Sequence, residues 1–134
     1  MLPNEQTPNE YTTQSFQFNH FFGRKVAMTL DASAFIYYPG GFGTFDELFE
    51  ILALIQTGKI HQKPVILVGS DFWRPLDAVI REVLLDKYQT VNNDDIDLYK
   101  IFDNYDNIVD YIKDSENKKL QFSKTSEYHK ELGI

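Results

Sequence analysis

The sequence predicts an α/β domain built on a parallel sheet, and three observations carry that expectation. Two short apolar runs, residues 34–38 and 64–69, are each followed by a turn and then by a longer stretch whose apolar residues recur at helical spacing. The first of these turns is dense in glycine, Pro39-Gly40-Gly41-Phe42-Gly43. Helical and strand-like segments alternate as α-β-α-β-α-β-α, the order that joins parallel strands through right-handed crossover helices. Together these features place the chain in the Rossmann-like class of α/β folds.

Composition narrows the function classes. The chain has 134 residues, 43% of them apolar, enough for one compact core. Twenty acidic against 13 basic side chains give a net charge of −7, which argues against a basic face for nucleic acid or an anionic membrane. Cysteine is absent, so neither disulfides nor thiolate metal sites can form. His20, His61 and His129 lie far apart without ligand spacing, and no metal site or cofactor is expected. The opening residues do not form a charged-then-apolar leader, and no apolar run reaches transmembrane length; a cytoplasmic location is expected.

The elements follow in order. Residues 1–14 are polar, carry Pro3 and Pro8, and read as an extended loop. Over residues 15–32, Phe18, Phe21 or Phe22, Val26 and Leu30 form one helical stripe, weakened by Gly23 by about 1 kcal/mol relative to alanine. Arg24 and Lys25 stand in its middle. A helix in an acidic protein commonly carries such residues solvated, but a guanidinium among phenylalanines can instead grip phosphate or hydroxyls bidentately. The run 34–38 has the continuous apolar, aromatic and β-branched character of a parallel strand covered on both faces. A helix beginning at Thr44 follows, with Phe45, Leu48, Phe49, Leu52, Ile55 and Gln56 on its inner rows. It ends at Thr57-Gly58-Lys59, with glycine just past the last turn. Residues 64–69 form a second buried strand. Residues 71–88 form a helix whose Trp73 packs the sheet edge or a dimer seam. Residues 96–102 form a weaker third strand, and residues 104–114 a short helix. The domain is expected to span 1–114, with 115–134 a polar tail or marginal helix.

Most of the chemistry concentrates in the first turn. Glycines at 40, 41 and 43 permit positive φ and close approach to the main chain. The helix beyond presents unpaired N–H groups and the positive end of its dipole, a seat for one phosphate. A second reading stands beside it: a strand-to-helix turn needs glycine for geometry alone, and Thr44-Phe45-Asp46-Glu47 is a T-x-x-E capping box. The pattern is neither G-x-G-x-x-G nor a P-loop, so a pyrophosphate is not expected.

The stretch Pro39-Gly40-Gly41-Phe42-Gly43-Thr44-Phe45-Asp46-Glu47, with Arg24-Lys25 upstream, resembles the P-G-G-x-G-T-x-x-E signature of the LONELY GUY proteins, cytokinin-activating phosphoribohydrolases long labelled lysine decarboxylases. The resemblance covers residues 2–112, including the Leu-Pro-x-Glu-Gln-x-x-Asn opening and the Lys63-Pro64-Val65 strand. It implies hydrolysis of the N-glycosidic bond of a nucleoside 5′-monophosphate to free base and ribose 5-phosphate. In that reading Arg24 and Glu47 are catalytic, and Glu5, Lys25, Gly40, Gly41, Phe42, Gly43 and Thr44 bind substrate and phosphate. Glu47 would face the ribose, stabilise oxocarbenium-like charge and orient water; Glu5 is the candidate second carboxylate. Ala53 departs from the threonine that the family carries at a ligand-touching position. The resemblance further implies a homodimer or larger assembly with the site near the subunit interface. It also implies two or three additional N-terminal strands, which would leave this sheet thin, with an exposed apolar edge.

Three rival functions belong to other classes. A non-catalytic nucleotide-binding or partner-binding half-module would need an N-terminal complement chain. A decarboxylase would need a Schiff-base lysine in a pyridoxal-phosphate site and a larger chain, and no residue pattern supports it. A purely structural role fits 11 phenylalanines and 8 tyrosines but leaves Arg24 and Glu47 unexplained.

Overall fold

The computed structural model describes residues 10–11, 25 and 28–132, with side chains to residue 118 in the last helix. Two units divide at residue 31, Met1–Asp31 and Ala32–Ile134. In the first, Lys25 and residues 28–31 are helical, and the Thr29 hydroxyl donates to the Lys25 carbonyl at 2.8 Å. Leu30, assigned above to an apolar stripe, is 65% exposed; Phe18, Phe21, Phe22 and Val26 lie outside the described residues.

The second unit carries the sheet: β1 (Phe35–Tyr37), β2 (Val65–Val68) and β3 (Lys100–Phe102), all parallel in the order β1-β2-β3. Its helices are α1 (Phe42–Gln56), α2 (Ser70–Val79) and α3 (Tyr105–Leu132). This is the parallel α/β architecture that the alternation of elements implies, and the middle strand shows why it forms. Val65, Ile66, Leu67 and Val68 are all buried, so an uninterrupted apolar run is what the position requires. Val65 and Leu67 pack with Leu48, Ile51 and Ile55 of α1 and with Trp73 and Ile80. Ile66 and Val68 pack on the opposite face with Ile108 of α3.

β1 differs from the expectation of a strand covered on both faces. Phe35 and Tyr37 are half-buried and pack against the α1 core, whereas Ile36 is 45% exposed. In the parallel register Ile36 pairs with Ile66, so it faces the α3 side of the sheet. α3 packs over β2 and β3 and leaves Ile36 exposed, which gives the thin sheet its apolar edge.

Four further differences are local. α1 buries Leu48, Ile51 and Ile55, while Phe49 remains 42% exposed; the inner row runs through Ile51 rather than Phe49. Its end is as the glycine predicts: Gly58 takes φ +67°, with Gly58 N–H donating to the Ile55 carbonyl and Lys59 N–H to the Leu54 carbonyl, at 3.0 and 2.8 Å. The helix expected over 71–88 is α-helical only to Val79, then widens into a π-helix over Ile80–Lys87. At that junction the Asp77 carboxylate accepts the Tyr99 hydroxyl at 2.6 Å and the Arg81 Nε–H at 2.9 Å. Burial pushes the Asp77 carboxyl up, but the Tyr99 and Arg81 hydrogen bonds and the Arg81 charge outweigh it and leave it lowered. Trp73 sits neither at the sheet edge nor in a seam: it is fully buried, donates Nε1–H to the Val68 carbonyl at 3.1 Å, and meets Phe72 edge-on at 4.9 Å. α3 begins where the short helix was expected and continues through residues 115–132 without a break.

Candidate functional site

The first strand-to-helix turn leaves β1 at Tyr37 and enters α1 at Phe42. The helix therefore starts two residues before the expected cap at Thr44. Gly41 is the N-cap, with φ −95° and no side-chain cap hydrogen bond, and its carbonyl accepts Thr44 N–H at 3.0 Å and Phe45 N–H at 3.2 Å. The T-x-x-E capping box consequently does not form: Thr44 lies inside the first turn, and Glu47 lies in the second. Asp46 and Glu47 are likewise a turn further from the positive helix end than their sequence position suggested.

The three glycines do different work from that expected of them. Among the described glycines, positive φ occurs at Gly58 and Gly69, not at 40, 41 or 43. Gly40 is required by contact, because a Cβ there would overlap the Thr44 hydroxyl and stand 2.9 Å from Thr44 Cβ. A Cβ at Gly41 or Gly43 would meet nothing within 4 Å. Among the described residues, none crowds those two positions. With Thr44 N–H already bonded to Gly41, the donors left by position at the helix end are the N–H groups of Phe42 and Gly43. The Phe42 ring beside them is 96% exposed.

Glu47 is half-buried in the second turn of α1, and its backbone carbonyl accepts the Tyr37 hydroxyl at 3.3 Å. Asp46, Glu47 and Glu50 have carboxylate oxygens that all lie within 4.8 Å of one another, so three oxygen donors converge there, each also engaged in other interactions. A divalent cation is one species such donors can hold. The D-E-x-x-E spacing carries the signal for this grouping, since residues three and four apart share a helix face.

Glu5 and Arg24 lie outside the described residues. Lys25 is a half-buried helical residue of the first unit. Ala53 lies six residues beyond Glu47, about 9 Å along the helix and on a different side. It borders an apolar pocket of ≈ 140 Å³ with Phe49, Leu52, Gln56, Ile80 and Leu84.

A second strand-to-helix turn lies directly beside the first. Gly69, the N-cap of α2, takes φ +100°, and a Cβ on it would stand 3.5 Å from the Pro39 ring. Here the first helical N–H is taken. The Asp103 carboxylate, just past β3, accepts Ser70 N–H at 2.7 Å. That backbone bond first, then a bond to the Ser70 side chain, with the Arg74 charge adding, holds the Asp103 carboxyl below its ordinary value against a small desolvation effect. Sequence reasoning did not find Asp103. Among the described residues, no helix is long and apolar enough to cross a membrane.

Comparison with known proteins adds to this geometry. A family model described as "Possible lysine decarboxylase" matches residues 1–112. A cytokinin riboside 5′-monophosphate phosphoribohydrolase of Arabidopsis thaliana is 40% identical over 75 residues, which is 53% of this chain and 35% of that protein. One of Oryza sativa subsp. japonica is 49% identical over 58 residues, 42% of this chain and 24% of that protein. A probable enzyme of the same name from rice is 54% identical over 48 residues, 36% of this chain and 20% of that protein. The matched stretches thus span between a fifth and about a third of these relatives' length.

Proposed function

Because this chain belongs to the LONELY GUY family, we propose that it hydrolyses the N-glycosidic bond of a nucleoside 5′-monophosphate, releasing free base and ribose 5-phosphate. The observation that carries this reading is the open N-terminus of α1 with Glu47 one turn further in. A phosphate at the Phe42 and Gly43 amides satisfies two donors that nothing in the turn caps, and it meets the positive end of a 15-residue helix. The Thr44 hydroxyl, held against Gly40, is placed to add a third donor. The 5′-phosphate then fixes the ribose over the second turn of α1, where Glu47 binds its hydroxyls, offsets the positive charge that develops as the base departs, and orients the attacking water. Glu50 and Asp46 add negative charge at the same place, which favours the positive charge of an oxocarbenium-like transition state over the uncharged ribose of the ground state. Arg24 serves the leaving base or holds ribose and Glu47 in register; Lys25 and Glu5 supply further substrate contacts. A homodimer or larger assembly, with the site near the subunit interface, belongs to the same reading.

A second reading is favoured by the short matched stretches: a nucleotide-binding half-module that keeps the phosphate seat and acquires the rest of its site from a complement chain. Release of free base from AMP and from isopentenyladenosine monophosphate by the purified chain decides between them, with Glu47→Ala as control. Glu47-dependent release establishes the hydrolase. A folded chain that binds AMP without releasing base establishes the half-module, and hydrolysis retained in Glu47→Ala removes Glu47 from the mechanism.

A further inference from the structure

We infer that Asp103 sets how many phosphates the site accepts, by keeping the α2 helix end closed beside the open end of α1; this rests on the α1 turn seating the substrate phosphate. β1 and β2 are neighbouring parallel strands, so α1 and α2 both begin at the same carboxyl edge of the sheet, the edge along which ligands of open α/β sheets lie. The two turns are near neighbours: a Cβ added at Gly69 would come within 3.5 Å of the Pro39 ring. A polyphosphate whose first phosphate sits on the Phe42 and Gly43 amides finds its next donors along this edge at the start of α2.

That place is taken. Phe102 pairs with Val68 in the β2–β3 register, and Gly69 N–H donates to the Phe102 carbonyl at 3.0 Å, so the residue just past β3, Asp103, is delivered to the start of α2. Its carboxylate accepts Ser70 N–H at 2.7 Å. A second phosphate therefore meets a donor already satisfied and a fixed negative charge. Arg74, one turn into α2, is the positive group whose field reaches Asp103; it lies on an exposed face and offsets the carboxylate only in part. A phosphate monoester avoids this carboxylate, whereas a diphosphate is driven against it. Asp103 is in this sense a specificity residue that acts through charge rather than through contact with the reacting atoms.

The experiment is calorimetric titration of the full chain with AMP and with ADP at about 0.1 M salt, in wild type, Asp103→Asn and Asp86→Asn. The asparagine at 103 keeps the shape and an amide oxygen that can accept Ser70 N–H, and removes only the charge. Asp86, near the far end of the π-helical segment, controls for net charge. The expected result is that wild type binds AMP more tightly than ADP. Asp103→Asn then lowers the ADP-to-AMP ratio of Kd values on the order of ten-fold, as removal of one charge at a few ångströms does, with AMP affinity little changed. Asp86→Asn leaves the ratio where it was. An unchanged ratio in Asp103→Asn, or an equal fall in Asp86→Asn, overturns the inference while leaving the phosphate seat intact. Failure of wild type to bind AMP at all overturns the phosphate-seat reading and this inference with it.

Discussion

The two strand-to-helix turns at the carboxyl edge of the sheet solve the same electrostatic problem in opposite ways. Each ends a buried or half-buried strand, passes through glycine, and opens a helix whose first N–H groups lack carbonyl partners. At α2 the chain supplies its own anion, the Asp103 carboxylate on Ser70 N–H, and braces the turn with Trp73 bonded to the Val68 carbonyl. At α1 the described residues supply none: the N-cap is Gly41, with no side-chain cap hydrogen bond, and no described atom lies within 4 Å of a Cβ placed on Gly41 or Gly43. One turn is finished by folding. The other is the turn proposed above as the phosphate seat, with three carboxylates gathered a turn beyond it.

Substitutions that interchange these roles break or sharpen the contrast. The largest effect is on turnover: Glu47→Gln is expected to lower kcat by about 10²–10⁴-fold, the usual worth of a positioned acid–base group, while AMP affinity is retained. Steady-state kinetics beside a binding titration read this directly. The sealed turn should respond in stability instead. Trp73→Ala, which empties a fully buried site and leaves the Val68 carbonyl without its indole donor, is expected to cost about 3–5 kcal/mol in denaturant unfolding. Gly69→Ala forces a side chain into φ +100° and should cost about 1–2 kcal/mol. Gly43→Asp makes the open turn resemble the sealed one. An internal carboxylate in the first turn should raise stability by about 0.3–1 kcal/mol and abolish AMP binding, whereas binding retained in this variant would show that the phosphate sits elsewhere.

The smallest effect concerns acid. Asp103 has a folded-state value below its ordinary 3.8, so its contribution is complete above that value and is lost as pH falls through the lowered one. The difference in Tm between wild type and Asp103→Asn should therefore be full at neutral pH and close below about pH 4. A difference that persists undiminished into strong acid would mean that the carboxylate's charge is not what caps α2.

The sequence made the open turn easier to read than the sealed one, for physical reasons. Glycine density, a preceding apolar run and a following helical stripe are all local, so the β1–α1 unit was legible from one continuous stretch. The start of α1 was misjudged because Thr44 and Glu47 have the spacing of a capping box, while Gly41, which lacks a side chain to cap with, takes that position. Asp103 could not be read as a cap because it lies 33 residues from Ser70 and is brought there by parallel pairing of β2 and β3. The exposed face of β1 was hidden for a related reason. An apolar run shows that a strand can be buried, and only the placement of α3 decides whether Ile36 is. Likewise nothing local marks the change at Ile80 from α- to π-helix, next to the Asp77–Tyr99 bond made across 22 residues.

The most direct test of the contrast is amide chemical-shift mapping of the chain titrated with AMP. Shifts centred on Phe42 and Gly43, with Ser70 unmoved, are the predicted result. Shifts at Ser70, or none at Phe42 and Gly43 when AMP is bound, would contradict the assignment of the open turn as the phosphate seat.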